Sequence, residues 1–117
     1  MLDDILWNVP ARKSVSAGGY IFQAGGPADV LYVVAEGEVE IALGEQIIEI
    51  IHREGVFGEM ALIDYKARSA TAKAITDCVL VPISKKHFLL LLRARLDFAI
   101  EVMRAMSNRI RILDAHR

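Results

Sequence analysis

A glycine, a glutamate and an arginine in the middle of the chain have the types and spacing needed to bind a charged small molecule. Gly58 and Glu59 stand where a tight turn is predicted to enter a single helical turn, whose free backbone N–H groups would face an anion. Arg68 follows shortly afterwards and offers a planar, permanently charged group that suits phosphate oxygens. Because an anion alone would repel Glu59, this pattern predicts a ligand with hydroxyl groups as well as a negative charge.

Residues 57–71 resemble the phosphate-binding cassette of the cyclic nucleotide-binding domain family. Two stretches agree with that cassette in residue type and in spacing: Phe57-Gly58-Glu59-Met60-Ala61-Leu62 and Arg68-Ser69-Ala70-Thr71. The strands and glycine turns nearer the N-terminus are also similar to the family, so the resemblance covers nearly the whole chain. It implies that the ligand is a ribose cyclic phosphate, with cyclic AMP as the first candidate and cyclic GMP as the second.

The central residues are each predicted to have a separate role in binding this ligand. Arg68 would donate a pair of hydrogen bonds to the phosphate, although an arginine considered alone is more typical of a surface ion pair. Glu59 would accept a hydrogen bond from the ribose 2′-hydroxyl, because an ionised carboxylate is an acceptor only. Gly58 and Ala61 are small enough to let the phosphate approach the backbone N–H groups.

Further ligand contacts are predicted at the edges of the cassette and beyond it. Ser69 has a hydroxyl that can donate to a phosphate oxygen or to the purine, and Ala70 follows it in the matched stretch. The resemblance implies that Met60 also touches the ligand and that Arg109, on the last helix, caps the purine. Ile41 is expected to face the interior and to line the pocket around the sugar and base. Core packing alone would explain Ile41 equally well, and an exposed helical position would explain Arg109.

The chain is predicted to form one domain over residues 1–117, mainly β with flanking helices. Short apolar runs separated by glycine turns fill residues 11–84, which we interpret as an antiparallel β jelly-roll barrel that contains the cassette. Apolar residues at helical spacing predict a short N-terminal helix within residues 1–10. Glycine and proline are absent after Ser84, which predicts two C-terminal helices over residues 85–117, with Ser84 as the N-cap of the first.

The last helix carries apolar residues at alternating intervals of four and three. They form a heptad-like seam of about two repeats, which consists of Ala99, Met103, Met106, Ile110 and Leu113. Two interpretations stay open. The seam joins two copies in a homodimer, or the helix packs back on its own barrel.

Composition and charge exclude several classes of function. Lys and Arg number 14 against 15 Asp and Glu, so the net charge of −1 gives no basic surface for nucleic acid. No apolar run is long enough to span a membrane, and the acidic N-terminus is not a signal peptide. The single cysteine, Cys78, rules out an intramolecular disulfide and indicates a reducing compartment, so we predict a cytoplasmic protein.

An enzyme is the first alternative function, because jelly rolls also house metal-dependent enzymes of the cupin type. The three histidines lie far apart in the sequence, and no nucleophile and base stand in a catalytic order. We therefore predict neither catalysis nor a metal or other cofactor.

A sensor fragment of a catabolite-activator-type transcription regulator is the second alternative. The chain stops directly after the predicted dimer helix, which leaves no recognition helix for DNA. A ligand-dead jelly-roll interaction domain is the third, and the presence of both Arg68 and Glu59 argues against it. The sequence thus predicts a regulatory module that binds a cyclic nucleotide and acts on a fused effector domain or through a homodimer.

Overall fold

Two four-stranded antiparallel sheets form the body of the domain. The computed structural model describes residues 11–59 and 67–115. The strands are β1 (Lys13–Val15), β2 (Tyr20–Phe22), β3 (Val30–Glu36), β4 (Val39–Leu43), β5 (Gln46–Ile51), β6 (Val56–Phe57), β7 (Thr71–Ala74) and β8 (Cys78–Ser84). One sheet has the order β1-β8-β3-β6 and the other β2-β7-β4-β5. The predicted jelly-roll fold is confirmed, although the two sheets do not join into one closed barrel.

Strand β3 shows why the sequence folds in this way. Its side chains alternate between two apolar cores, as the period of two in a strand requires. Tyr32 and Val34 point into the core between the two sheets. Leu31 and Val33 point to the opposite face and pack under the C-terminal helices. A strand that is covered on both faces is apolar at successive positions, and this accounts for the buried run of residues 31–34.

The helices α1 (Lys85–Ala94) and α2 (Leu96–Ala115) cover the first sheet. The Ser84 side chain accepts a hydrogen bond of 3.2 Å from the backbone N–H of His87, which confirms the predicted N-cap. Phe88 of α1 and Phe98 of α2 meet edge to face, with ring centroids 6.1 Å apart. This aromatic pair fixes the two helices against each other above β3 and β8.

The predicted apolar seam of α2 is divided between the domain core and its surface. Met106 packs against the core under the helices. Met103 and Ile110 are 58% and 65% exposed. The residues that bury α2 are instead Phe98 and Val102, which the heptad pattern did not include. The helix therefore packs back on its own sheet through an inward apolar stripe, and it carries a second, outward apolar stripe. The homodimer stays a prediction.

Some predictions fall on residues that the structure does not describe. They are the N-terminal helix within residues 1–10 and the helical turn that follows Glu59, where residues 60–66 lie outside the described ranges. Within residues 11–59 and 67–115, no helix is long and apolar enough to cross a membrane. The same residues contain no group of His, Cys, Asp or Glu side chains that could hold a metal ion.

Candidate functional site

The turn after β6 depends on glycine for two physical reasons. Gly58 has a φ of +81°, a backbone conformation that residues with a side chain rarely adopt. A Cβ atom added at this position would also lie 2.8 Å from Nη1 of Arg68. The turn therefore brings the backbone of Gly58 against the arginine that the sequence predicts to bind phosphate.

Arg68 is a buried residue with only 5% of its surface exposed, so the alternative of a surface arginine is wrong. Its Nη1 donates to the carbonyl of Gly58 at 2.8 Å and its Nη2 donates to the carbonyl of Val30 at 2.5 Å. The guanidinium carbon lies 4.1 Å from the ring centroid of Phe22, a distance typical of a cation–π contact. Burial lowers the pKa of Arg68, and the negative charges that Tyr32, Asp29 and Glu59 can carry oppose this effect. The side chain is thus held firmly in place before any ligand arrives.

Glu59 is the most deeply buried acidic residue in the described part of the chain, with 1% of its surface exposed. Its Oε1 accepts a hydrogen bond from Nη1 of Arg109. Its Oε2 is also buried but has no hydrogen-bond partner among the described residues. Leaving a buried polar atom without a partner costs free energy, so such an atom is a candidate contact for a ligand.

Arg109 lies on α2 with 7% of its surface exposed, which rules out the alternative of an exposed helical arginine. Besides Glu59, its guanidinium contacts Glu49 of β5, with Nε 3.0 Å from Oε1. Its Nη2 donates to the carbonyl of Val56 at 2.6 Å. These contacts join α2 to β5, to β6 and to the turn that follows β6. Stacking of Arg109 on a purine stays a prediction.

Glu49 is the residue of this cluster that sequence reasoning missed. Residues 47–51 form one of the short apolar runs of the predicted barrel, and an apolar run normally signals only packing. The available signal was the single charge inside that run, because a glutamate among isoleucines is either exposed or paired in the interior. Its side chain is 10% exposed, which places it in the second category.

The other predicted contact residues occupy different environments. Ile41 is 5% exposed and belongs to the core between the sheets. Ala70 packs against the same core, whereas Ser69 is exposed. Met60 and Ala61 lie outside the described residues. The ligand contacts of all five residues stay predictions.

Two buried polar atoms in this region have opposite hydrogen-bonding character. Nε of Arg68 can only donate, and Oε2 of Glu59 can only accept while the carboxylate is ionised. Neither has a partner among the described residues. The two residues stand at either end of the cassette, and both side chains are buried. The arrangement can therefore bind a molecule that offers an anionic oxygen at one point and a hydroxyl group at another.

A family model described as the cyclic nucleotide-binding domain matches residues 12–95 of the chain. The chain belongs to the cyclic nucleotide-binding domain family. The match includes both sheets, the Gly58 turn and Arg68, so the resemblance inferred from the cassette is confirmed.

Curated proteins similar to this cyclic nucleotide-binding domain include receptors and kinases. The cyclic AMP receptor protein of Thermus thermophilus is 32% identical over 108 residues, which cover 88% of this chain and 50% of that protein. The cGMP-dependent protein kinase 2 of Mus musculus is 35% identical over 65 residues, which cover 56% of this chain and 8% of that protein. This chain thus spans half or less of the length of these two relatives.

Solved structures have the same fold as this cyclic nucleotide-binding domain. The Thermus thermophilus catabolite activator protein superposes with a TM-score of 0.79 at 29% identity, covering 97% of this chain and 56% of that chain. A structure of PKAR CBD2 with bound Sp-2Cl-cAMPS superposes with a TM-score of 0.77 at 28% identity, covering 90% of this chain and 70% of that chain.

Proposed function

We propose that this domain binds a cyclic nucleotide between the Gly58 turn and Arg68, and that binding is coupled to the position of α2. The observation that supports this proposal is the pair of buried atoms without partners, Nε of Arg68 and Oε2 of Glu59. A cyclic nucleotide supplies an acceptor for the first atom and a donor for the second. No other pair of described residues combines these properties with the sequence of the cassette.

Arg68 is assigned to the phosphate. Its Nε–H can donate to a phosphate oxygen while Nη1 and Nη2 keep their bonds to the carbonyls of Gly58 and Val30. The side chain is already ordered by these bonds and by Phe22, so little conformational entropy is lost on binding. The absence of a side chain at Gly58 leaves room for the phosphate beside the backbone.

Glu59 is assigned to the ribose 2′-hydroxyl. Arg109 holds one carboxylate oxygen and leaves the other without a partner, so the carboxylate is oriented before the ligand binds. A deoxyribose would leave this buried acceptor unsatisfied, which gives selectivity for ribose.

Cyclic AMP is the first candidate ligand and cyclic GMP the second. The similarity to the Thermus thermophilus cyclic AMP receptor protein covers most of the chain, and the similar PKAR CBD2 structure holds an analogue of cyclic AMP. The similarity to a cGMP-dependent protein kinase supports the second candidate. The module is regulatory and releases its ligand unchanged.

The output of binding is assigned to α2, because Arg109 connects this helix directly to Glu59. A ligand that contacts Glu59 alters the balance of charges around Arg109. It shifts α2 to the extent that it binds two positions of the helix with different affinity, a coupling of about 1–3 kcal/mol in typical cases.

The outward stripe of α2 is assigned to a partner chain, either a second copy or a fused effector domain. Leu96, Met103 and Ile110 follow one another at the seven-residue spacing of a coiled-coil seam. They are 74%, 58% and 65% exposed, which is unusual for three large apolar residues on one face of a helix.

Calorimetric titration of the purified protein tests the proposed function. We expect cyclic AMP or cyclic GMP to bind with one site per chain and 5′-AMP to bind far more weakly, because its phosphate is not joined to the ribose 3′-oxygen. If neither cyclic nucleotide binds at high micromolar concentration, the ligand-dead alternative is correct.

A further inference from the structure

Glu49 is a second, partly buried carboxylate beside the proposed nucleotide site, and it is paired with the same arginine as Glu59. Its Oε1 lies 3.0 Å from Nε of Arg109. That oxygen nevertheless accepts no well-oriented hydrogen bond from the described residues. Arg109 directs its hydrogen bonds to Glu59 and to the carbonyl of Val56. Two carboxylates therefore share one guanidinium, and the Asn108 side chain also contributes a hydrogen bond to Glu49.

The charges of this cluster cancel before the ligand binds. Arg68 and Arg109 contribute two positive charges, and Glu49 and Glu59 contribute two negative charges when both are ionised. A cyclic nucleotide adds one negative charge to a region with little access to water. In such surroundings charges interact more strongly than at the surface, so the added charge disfavours the ionised form of a nearby carboxylate, above all one that a proton from solvent can reach.

Glu49 has a route to solvent through which a proton can enter. A cavity of about 270 Å³ lies between β5, the turn to β6 and α2, and Glu49 lines it. The charged and titratable groups that face Glu49 from the surrounding elements are Glu59, Arg109, His52, Glu101 and Arg104. Glu101 and His52 have partners of their own, since Glu101 pairs with Arg104 at 3.0 Å and His52 with Glu38 at 2.8 Å.

We propose that Glu49 balances the charge of the nucleotide site and takes up a proton from solvent when the anionic ligand binds. This inference rests on the proposed function, and it assigns to that site an affinity-determining residue that does not itself touch the ligand. Glu49 also positions Arg109, and through it the carboxylate of Glu59. The affinity for the cyclic nucleotide then depends on pH.

The direction of the pH dependence follows from the environment of Glu49. Burial raises the pKa of Glu49, Arg109 opposes this shift, and the charge of Glu59 adds to it. A bound anion raises the same pKa further. By linkage, the complex then holds more protons than the free protein, so affinity increases as the pH falls from neutrality towards the pKa of Glu49.

Calorimetry at several pH values tests this inference with Glu49→Gln. Glutamine keeps the shape of the side chain and an oxygen near Nε of Arg109, but it removes the charge. We expect the wild type to take up a fraction of a proton on binding, measured from titrations in buffers of different ionisation enthalpy. We expect Glu49→Gln to bind cyclic nucleotide severalfold more tightly at neutral pH, with a smaller dependence on pH and less proton uptake.

Glu101→Gln is the matched control, because it removes one carboxylate from the same cavity without touching Arg109. This variant should keep the pH dependence and the proton uptake of the wild type. Every ionisable group except Glu49 is common to the wild type and Glu49→Gln, so the difference between these two proteins isolates Glu49.

Carbon-13 NMR titration of the glutamate carboxyl groups provides a second measurement that needs no nucleotide. The signal of Glu49 is identified as the one that is missing from the spectrum of Glu49→Gln. We expect this signal to report a raised pKa. An ordinary pKa for this signal, or equal proton uptake by the wild type and Glu49→Gln, would overturn the inference while leaving the proposed function intact. If no cyclic nucleotide binds the wild type, the proposed function fails, and this inference fails with it.

Discussion

The guanidinium of Arg109 on α2 contacts the carboxylate of Glu59, which stands 50 residues earlier, after β6. This contact joins the helix that covers the first sheet to the residue that is proposed to bind the ribose. Both side chains are buried, so neither can lose the other without a cost in free energy. The proposed ligand contact at Glu59 and the position of α2 are therefore physically connected.

The stability of the domain should depend strongly on Arg109. Arg109→Gln leaves the buried Glu59 and the partly buried Glu49 without their cation, and breaking a buried pair in this way typically costs about 3–5 kcal/mol. Arg104→Gln, which removes an exposed arginine from the same helix and breaks its pair with Glu101, should cost at most about 1 kcal/mol. Urea unfolding followed by circular dichroism compares the two. Equal destabilisation would show that the buried cluster has no special role in stability.

Replacing Gly58 should do more damage than backbone strain alone would cause, because it should also weaken nucleotide binding. Gly58→Ala introduces strain of roughly 1–2 kcal/mol and also places Cβ against the guanidinium of Arg68. Gly18→Ala is the matched control, because Gly18 has a φ of +85° but nothing within 4 Å of an added Cβ. Both variants should lower the thermal midpoint, and only Gly58→Ala should weaken nucleotide binding as well. The same affinity in both variants would contradict the close approach of Gly58 and Arg68.

The ribose should be recognised through Glu59. Titration of the wild type and of Glu59→Ala with cyclic AMP and with 2′-deoxy cyclic AMP forms a double-mutant cycle. A hydrogen bond to a charged group contributes about 1.5–3 kcal/mol, so we expect a coupling of this size between the hydroxyl and the carboxylate. Equal discrimination between the two nucleotides in both proteins would assign the hydroxyl to another residue.

The outward stripe of α2 should control self-association. Met103→Glu and Ile110→Glu place a charge on the seam and should convert a dimer to a monomer in sedimentation equilibrium. Arg111→Glu is the control, since Arg111 is also exposed but lies off the seam. A wild type that stays monomeric at all concentrations would contradict the homodimer. A fused effector domain would then be the remaining partner proposed for the stripe.

The sequence was sufficient for the features that depend on local patterns. Short apolar runs between glycine turns indicated the strands of residues 11–84, and Ser84 marked the start of α1. The spacing of Gly58, Glu59 and Arg68 identified the family. Each of these signals lies within a few residues of the feature that it predicts.

The features that the sequence did not reveal depend on which distant elements come together. The ion pair of Glu49 and Arg109 joins residues of β5 and α2, and no periodicity connects them. On α2, Phe98 and Val102 are no more apolar than Met103 and Ile110, so the pattern could not show which stripe faces the core. Only the packing of the helix on β3 decides that question.

Calorimetric titration of Arg68→Ala with the preferred cyclic nucleotide tests the central claim most directly. If Arg68 binds the phosphate, this variant should lose roughly 2–5 kcal/mol of binding free energy. Arg104→Ala should bind as the wild type does, and circular dichroism should show that Arg68→Ala is folded, with Arg68→Lys as a milder substitute if it is not. Wild-type affinity in a folded Arg68 variant would contradict the account.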